Sequence, residues 1–258
     1  NIAYSLMLMG ESPVISASIG HDHHRYLEWL EKTGLSTGAI RIVEEEFTAC
    51  AYITTDKADN QITGFNPGAM KHSSNLDFDR LDPADTILII SPGNLHDMVT
   101  YPVKCRERGI GYIFDPGQSL PMLGPDDLLR AIEGCRILIT NDYELDLIIS
   151  KTGLDKKGLL QRAGAVITTL GELGSLVSTR EGDVRIPIGR TRQVLDPTGA
   201  GDSFRGGLLS GLVKGLALEE CARLGSVCAS FSVECYGTQA YGFTPEEFSE
   251  RLCLLVER

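Results

Sequence analysis

Val194-Leu195-Asp196-Pro197-Thr198-Gly199-Ala200-Gly201-Asp202-Ser203-Phe204-Arg205-Gly206-Gly207 is the stretch on which the reading of this chain turns. The apolar pair Val194-Leu195 predicts the end of a strand, and Asp196-Pro197-Thr198 breaks it. A helix is expected over Asp202 to Lys214. Gly199, Ala200 and Gly201 carry at most a methyl group, so their backbone N–H groups stay uncovered. A helix N-terminus adds unpaired N–H groups and the positive end of the helix dipole. Together they predict an anion hole. Asp202 stands at its mouth, where a carboxylate is electrostatically unfavourable unless it has a task. The chemical task that fits is to accept a proton from a hydroxyl attacking a phosphoryl group. The competing reading is an ordinary acidic residue in the first turn of a helix. Two commoner phosphate loops are excluded by the letters. A dinucleotide fingerprint needs glycine where Phe204 stands, and a Walker loop needs Gly-Lys, a pair this chain lacks.

Outward from that stretch, the chain divides by pattern. Residues 1–9 predict a helix closed by Gly10, residues 14–19 a strand, and Asp22 a cap for a helix to Thr33. Residues 39–43, 47–55 and 61–65 read as strands with no helix between them, the last two joined by a turn over Asp56–Asn60. This region, about 39–66, is expected to form a small projecting lid sheet. From residue 86 apolar strands (86–91, 111–114, 136–140, 165–170) alternate with helices (94–108, within 123–134, 141–150), the mark of a doubly wound, mostly parallel sheet. A hairpin around Glu181-Gly182-Asp183 and helices over 202–215, 219–235 and 245–257 follow. In such sheets ligands sit beyond the carboxyl ends of the strands. Asp115, Asn141, Gly171 and Gly199 are therefore expected along one edge. One α/β domain with a lid, 1–258, accounts for the whole pattern.

Composition narrows the function classes. The chain has 258 residues and a formal net charge of -11. It shows no basic patch for nucleic acid and no apolar run long enough for a membrane span. Seven cysteines with no C-x-x-C pair predict reduced thiols and a cytoplasmic protein. Cys221, Cys228 and Cys235, spaced by seven, read as small core residues of a helix face. His21, His23 and His24 crowd one turn without H-x-x-x-H spacing, so solvated helix-start histidines are favoured over zinc.

The string D-x-x-G-A-G-D-x-F, met by Asp196, Gly199, Ala200, Gly201, Asp202 and Phe204, resembles the second signature of the ribokinase-like (PfkB) carbohydrate and nucleoside kinases. The resemblance implies a ribokinase-like fold with a β-sheet lid. It makes Asp202 the catalytic base and Gly199, Ala200 and Gly201 the anion hole. Asn1, Ala3, Gly10 and Gly20 resemble the first signature. On that register the family's first strand, its substrate-binding aspartate and a Gly-Gly pair would precede Asn1.

Further motifs fall in family order. Asn141-Asp142-Tyr143-Glu144 resembles N-x-x-E, which implies that Asn141 and Glu144 hold Mg²⁺ through water. The same four residues equally suit a capping box. Thr169, Gly171 and Gly174 resemble the T-x-G-x-x-G turn near the nucleotide, and Ser226 corresponds by spacing to a residue near the adenine. Asp196, Thr198 and Thr238 would frame a monovalent cation such as K⁺. Residues 54–70, 115–120, 141–153 and 234–239 look most like bacterial adenosine kinases, which makes Gln118 a nucleoside contact. Phe65 is either a base-stacking residue or lid core. The expectation is ATP- and Mg²⁺-dependent phosphorylation of a nucleoside primary hydroxyl, adenosine first. A ribose- or fructose-type sugar kinase and a non-catalytic nucleotide-binding regulator are the alternatives. An exposed lid edge allows a homodimer.

Overall fold

The computed structural model of the chain describes residues 1–56 and 61–256. It opens with α1 (Ile2–Leu8), β1 (Ala17–Gly20), α2 (His24–Lys32), β2 (Ile40–Val43), β3 (Cys50–Thr55) and β4 (Gln61–Asn66). The regular alternation follows as β5 (Ile87–Ile90), α3 (Leu95–Arg108), β6 (Gly111–Phe114), α4 (Pro125–Ile132), β7 (Ile137–Asn141), α5 (Asp142–Thr152), α6 (Lys156–Arg162) and β8 (Ala165–Thr169). It closes with β9 (Ser175–Ser178), β10 (Asp183–Ile186), α7 (Ala200–Val213), α8 (Leu218–Ser232) and α9 (Pro245–Val256).

Six strands form one sheet in the order β10-β9-β8-β7-β6-β5. Strands β5 to β8 run parallel, whereas β9 pairs antiparallel with β8 and β10 antiparallel with β9. The apolar runs are continuous because both faces of the sheet are covered. Tyr112, Phe114, Leu138 and Val166 face Met98 and Tyr101 of α3, Leu128 of α4, Ile148 of α5 and Leu159 of α6. Ile113, Ile137, Ile139 and Ile167 point the other way, onto Leu6 of α1, Phe204 and Leu208 of α7 and Cys221 of α8. The parallel strands therefore end in register on one edge, and α7 starts above that edge.

The lid differs from expectation. β2 pairs in parallel with β1, and only β3 and β4 make the antiparallel hairpin, from Cys50↔Asn66 onward. The 39–66 region thus contributes to two separate two-stranded sheets. Most of the turn expected at 56–60 lies outside the described residues. Val194 and Leu195 do not end a strand. Leu195 N donates instead to Val233 O beyond α8 (2.8 Å), so the segment before the glycine turn crosses α8 as a loop. Asp22 caps no helix either. Its Oδ1 accepts from Thr48 N (2.9 Å) and Thr48 Oγ1 (2.6 Å), two donors that outweigh one helix-end N–H. The short α6 went unforeseen because Leu159 and Leu160 alone enter the core. Of the spaced cysteines, Cys221 and Cys228 are buried and Cys235 lies past the end of α8.

α7 and α8 meet backbone to backbone. A Cβ on Gly207 would stand 2.6 Å from Leu224 O and 2.8 Å from the Gly225 Cα. The substitution Gly207→Ala should therefore force the helices apart at a cost of about 1–3 kcal/mol. Thermal unfolding is predicted to show Tm lower by roughly 2–10 °C; an unchanged Tm would mean the two helices separate freely.

Candidate active site

A cavity of about 850 Å³ opens beyond the carboxyl ends of β6, β7 and β8. Asp115, Gly117 and Gln118 enter it from the turn after β6, Asn141 from the end of β7, and Thr169 and Gly171 from the end of β8. Gly199, Gly201, Asp202 and Arg205 enter from the turn before α7 and from the first turns of α7, and Asn1 and Tyr26 also line the cavity. A second hollow, of about 670 Å³ beside β5, holds none of the residues singled out in the sequence.

The glycine turn has the form of an anion site. Gly199 adopts φ 81°, a left-handed conformation that glycine takes at no steric cost, and a Cβ there would meet Thr238 Cγ2 at 2.9 Å. α7 begins at Ala200, two residues earlier than expected, so Asp202 is already in the first turn. Ala200 N donates to Pro197 O and Ser203 N to Gly199 O. Among the described residues the N–H groups of Gly201 and Asp202 have no acceptor, and they open at the positive end of the helix.

Asp202 Oδ2 accepts from Asn1 Nδ2 at 2.6 Å, and Asn1 Oδ1 accepts from Gln239 Nε2 at 2.9 Å. The chain Gln239–Asn1–Asp202 fixes the carboxylate across elements 238 residues apart. Beneath it, Arg205 is 7 % exposed and forms a forked pair with Asp115: Nε to Oδ2 at 2.6 Å and Nη2 to Oδ1 at 2.7 Å. Ser91 Oγ adds a third bond to Asp115 Oδ2, at 2.9 Å. Burial alone would lower the Arg205 pKa, but the attraction and hydrogen bonds of Asp115 outweigh it and raise it. Asp202 and Glu144 act on Arg205 in the same direction. Removing one partner of such a buried pair costs about 3–5 kcal/mol, since the other charge is left bare.

Asn141 and Glu144 do form the capping box. Asn141 Oδ1 accepts from Glu144 N (2.7 Å) and Glu144 Oε2 from Asn141 N (2.8 Å). The box does not exhaust the carboxylate: Oε1 has no protein partner among the described residues, and Glu144 lines the cavity. Burial raises its pKa, while the Asn141 N–H and the Arg205 charge oppose that rise. No group of three or more His, Cys, Asp or Glu able to hold a metal occurs among the described residues. One free carboxylate oxygen in a polar cavity fits an ion that keeps most of its own water, as Mg²⁺ does.

Other expected site residues lie off the cavity wall. Phe65 is 55 % exposed on β4, paired with Ala51 of the hairpin. Ser226 is buried in α8, its carbonyl beneath Gly189. Gly174 (φ 86°) passes under Ile186 O, where a Cβ would stand at 2.1 Å. Asp196 ties two loops together: Oδ1 accepts from Thr198 N (2.9 Å) and Oδ2 from Gly237 N (3.1 Å). Hydrogen bonds from Thr198 and Gly237 hold its pKa below the usual range. Thr198 and Thr238 thus come together beside Gly199, behind the anion hole. Sequence reasoning missed two features of the wall. One is the Asp115–Arg205 pair, foreshadowed by an acid directly after an apolar strand and by Arg205 being the one cation within the motifs. The other is Tyr26, whose ring lies parallel (4°) to Trp29, itself stacked on Tyr4.

A sheet with this strand order, a detached hairpin and a glycine-turn site at the strand ends defines a ribokinase-like α/β kinase. The model of the pfkB family carbohydrate kinases matches residues 1–245, and the chain belongs to that family. It is 34 % identical over 257 residues to the nucleoside kinase of Methanocaldococcus jannaschii, covering 98 % of this chain and 83 % of that one. The solved nucleoside kinase of Burkholderia thailandensis in complex with inosine superposes with a TM-score of 0.92 at 35 % identity, covering 100 % of this chain and 85 % of the other. The same protein in complex with ADP-inosine gives a TM-score of 0.92.

The capping box makes a stability prediction of its own. Asn141→Ala leaves Glu144 N without its acceptor and should cost about 1 kcal/mol. Tm is expected to fall by roughly 2–4 °C, while Glu144→Gln, which still accepts from Asn141 N, keeps Tm near wild type. Equal losses in both variants would contradict the geometry.

Proposed function

We propose that the chain transfers the γ-phosphoryl group of ATP to the 5′ hydroxyl of a nucleoside, with Asp202 as the base. The observation that carries this reading is a carboxylate fixed at 2.6 Å by Asn1 directly beside two unpaired helix-start N–H groups. That arrangement offers a proton acceptor and an oxyanion cradle to the same reacting centre. Adenosine is the leading acceptor from the resemblance of the 54–70, 115–120, 141–153 and 234–239 segments to bacterial adenosine kinases, and the inosine bound by the Burkholderia relative supports purine nucleosides generally. Glu144 and Asn141 would hold Mg²⁺ through water. The ion, when bound, offsets phosphate charge and orients the donor. Asp196, Thr198 and Thr238 would frame a monovalent cation through their oxygens.

The nucleoside base would lie against Tyr26, Val14 and Gln118, all of which line the cavity. Tyr26 offers a half-exposed aromatic face parallel to Trp29, which itself stands against Tyr4, and Gln118 offers both a donor and acceptors to a base edge. The hairpin β3–β4 is proposed as a lid, and its exposed Tyr52, Ile53 and Ile62 as a pairing surface for a second copy. All seven cysteines are free, which suits a reducing compartment such as the cytoplasm.

ADP release from ATP measured across nucleosides and sugars tests the reading. Turnover is expected with purine nucleosides and not with ribose or fructose alone; the reverse order would move the chain to the sugar kinases. Asp202→Asn should lower kcat by about 10²–10⁴-fold while ATP still binds, and a near-wild-type rate would remove Asp202 from the mechanism. Base stacking on an aromatic ring is worth about 1–3 kcal/mol. Tyr26→Ala should accordingly raise the nucleoside KM by roughly ten- to a hundredfold and leave the KM for ATP unchanged. Phe65→Ala is expected to have the smaller effect; a larger one would return the stacking role to the hairpin.

A further inference from the structure

We infer that Arg205 is a catalytic residue that contacts the transferring phosphoryl group, and that Asp115 is its positioning residue. Arg205 is i+4 to Gly201 on α7, and helical side chains lean toward the helix N-terminus. The guanidinium consequently lies over Gly201 at the anion hole. Nη1 stands 2.9 Å from the place a Cβ on Gly201 would occupy, so glycine at 201 makes room for it. A guanidinium carries five N–H donors. One on Nε and one on Nη2 go to Asp115. Among the described residues, nothing accepts from Nη1, although the side chain is only 7 % exposed and lines the cavity. A buried cation with unspent donors beside unpaired N–H groups is complementary to a phosphoryl group.

The charges around it agree. Asp115, Glu144 and Asp202 bring three carboxylates to a cavity meant for a polyanion, and Arg205 is the cation that interacts with all three. Asp115 grips one edge of the guanidinium in a fork, with Ser91 bonded behind it, so the free edge is held in a fixed direction before substrate arrives. Such preorganisation is how a positive group acts on developing charge without reorganising during the reaction. This inference rests on the reaction proposed above. In that step the nucleoside O5′ forms a bond to the γ phosphorus, and the bond from phosphorus to the β–γ bridging oxygen breaks. Its electron pair leaves with ADP, and the hydroxyl proton passes to Asp202. The negative charge on the three equatorial oxygens is what Arg205 stabilises.

The experiment compares Arg205→Lys and Asp115→Asn with the wild type in kcat, in KM for the nucleoside, and in affinity for ADP with and without aluminium fluoride, nucleoside and Mg²⁺ being present. Arg205→Lys keeps a charge but loses the fork, so kcat should fall roughly a hundredfold or more, with the nucleoside KM within about threefold. Affinity for the ADP–aluminium fluoride complex should fall in parallel with kcat, and affinity for ADP alone should hold. Asp115→Asn should lose kcat by a smaller factor with the same split. Guanidinium at millimolar concentration should restore part of the turnover of Arg205→Ala and none of that of Asp202→Asn. An active wild type whose Arg205→Lys variant keeps kcat within threefold overturns this inference alone. So does an equal loss of ADP and ADP–aluminium fluoride affinity accompanied by a lower Tm, which marks a purely structural pair. A wild type that releases no ADP with any acceptor overturns both this inference and the reaction it rests on.

Discussion

One buried ion pair joins the edge of the parallel sheet to the start of α7, and the cavity lies between them. Asp115 leaves the end of β6, and Arg205 stands one turn inside α7, 90 residues later. Their forked bonds draw the start of α7 down onto the carboxyl edge of the parallel sheet. Two further constraints hold the same junction. Backbone contact at Gly207 fixes α7 on α8, and the Asp196 carboxylate ties the approach to the turn to the loop at Gly237. The anion hole exists because these contacts place a helix start, with two unspent N–H groups, over the mouths of β6, β7 and β8.

The electrostatics of the cavity follow from the same contacts. A protein with a net charge of -11 gathers Asp115, Glu144 and Asp202 around a cavity that would hold a nucleotide. Carboxylates and phosphates repel unless positive groups intervene. The helix dipole and the Arg205 guanidinium are the positive groups that the geometry provides. Glu144 serves two ends at once. One oxygen closes the capping box that starts α5, and the other remains for the site. Structural and functional readings of N-D-Y-E are thus compatible, since they draw on different atoms of one side chain.

The parts of the fold legible in the sequence were those governed by local periodicity. β6 came out at its observed bounds because Tyr112, Ile113 and Phe114 follow Gly111 and run into Asp115-Pro116-Gly117. Asn141, Glu144, Gly199 and Asp202 were legible because short spacing alone sets a cap or a turn. What was hidden depends on pairing between distant segments. Nothing local says that residues 40–43 would join residues 17–20 in place of the hairpin, or that Thr48 would claim Asp22. Val194-Leu195 looked like a strand because apolar letters do not record whether a sheet edge is available to them. Phe65 drew attention as an aromatic near a turn. Tyr26, which does line the cavity, was concealed within an amphipathic helix beside Trp29.

In the proposed reaction a primary hydroxyl, directed toward Asp202 and Asn1, takes the phosphoryl group. Phosphorus NMR of the product formed from ATP and adenosine tests this most directly. A new phosphomonoester signal coupled to the two C5′ protons, with none formed from 5′-deoxyadenosine, is the predicted result. Phosphate coupled to the C2′ or C3′ proton, or undiminished phosphoryl transfer to the 5′-deoxy compound, would contradict it.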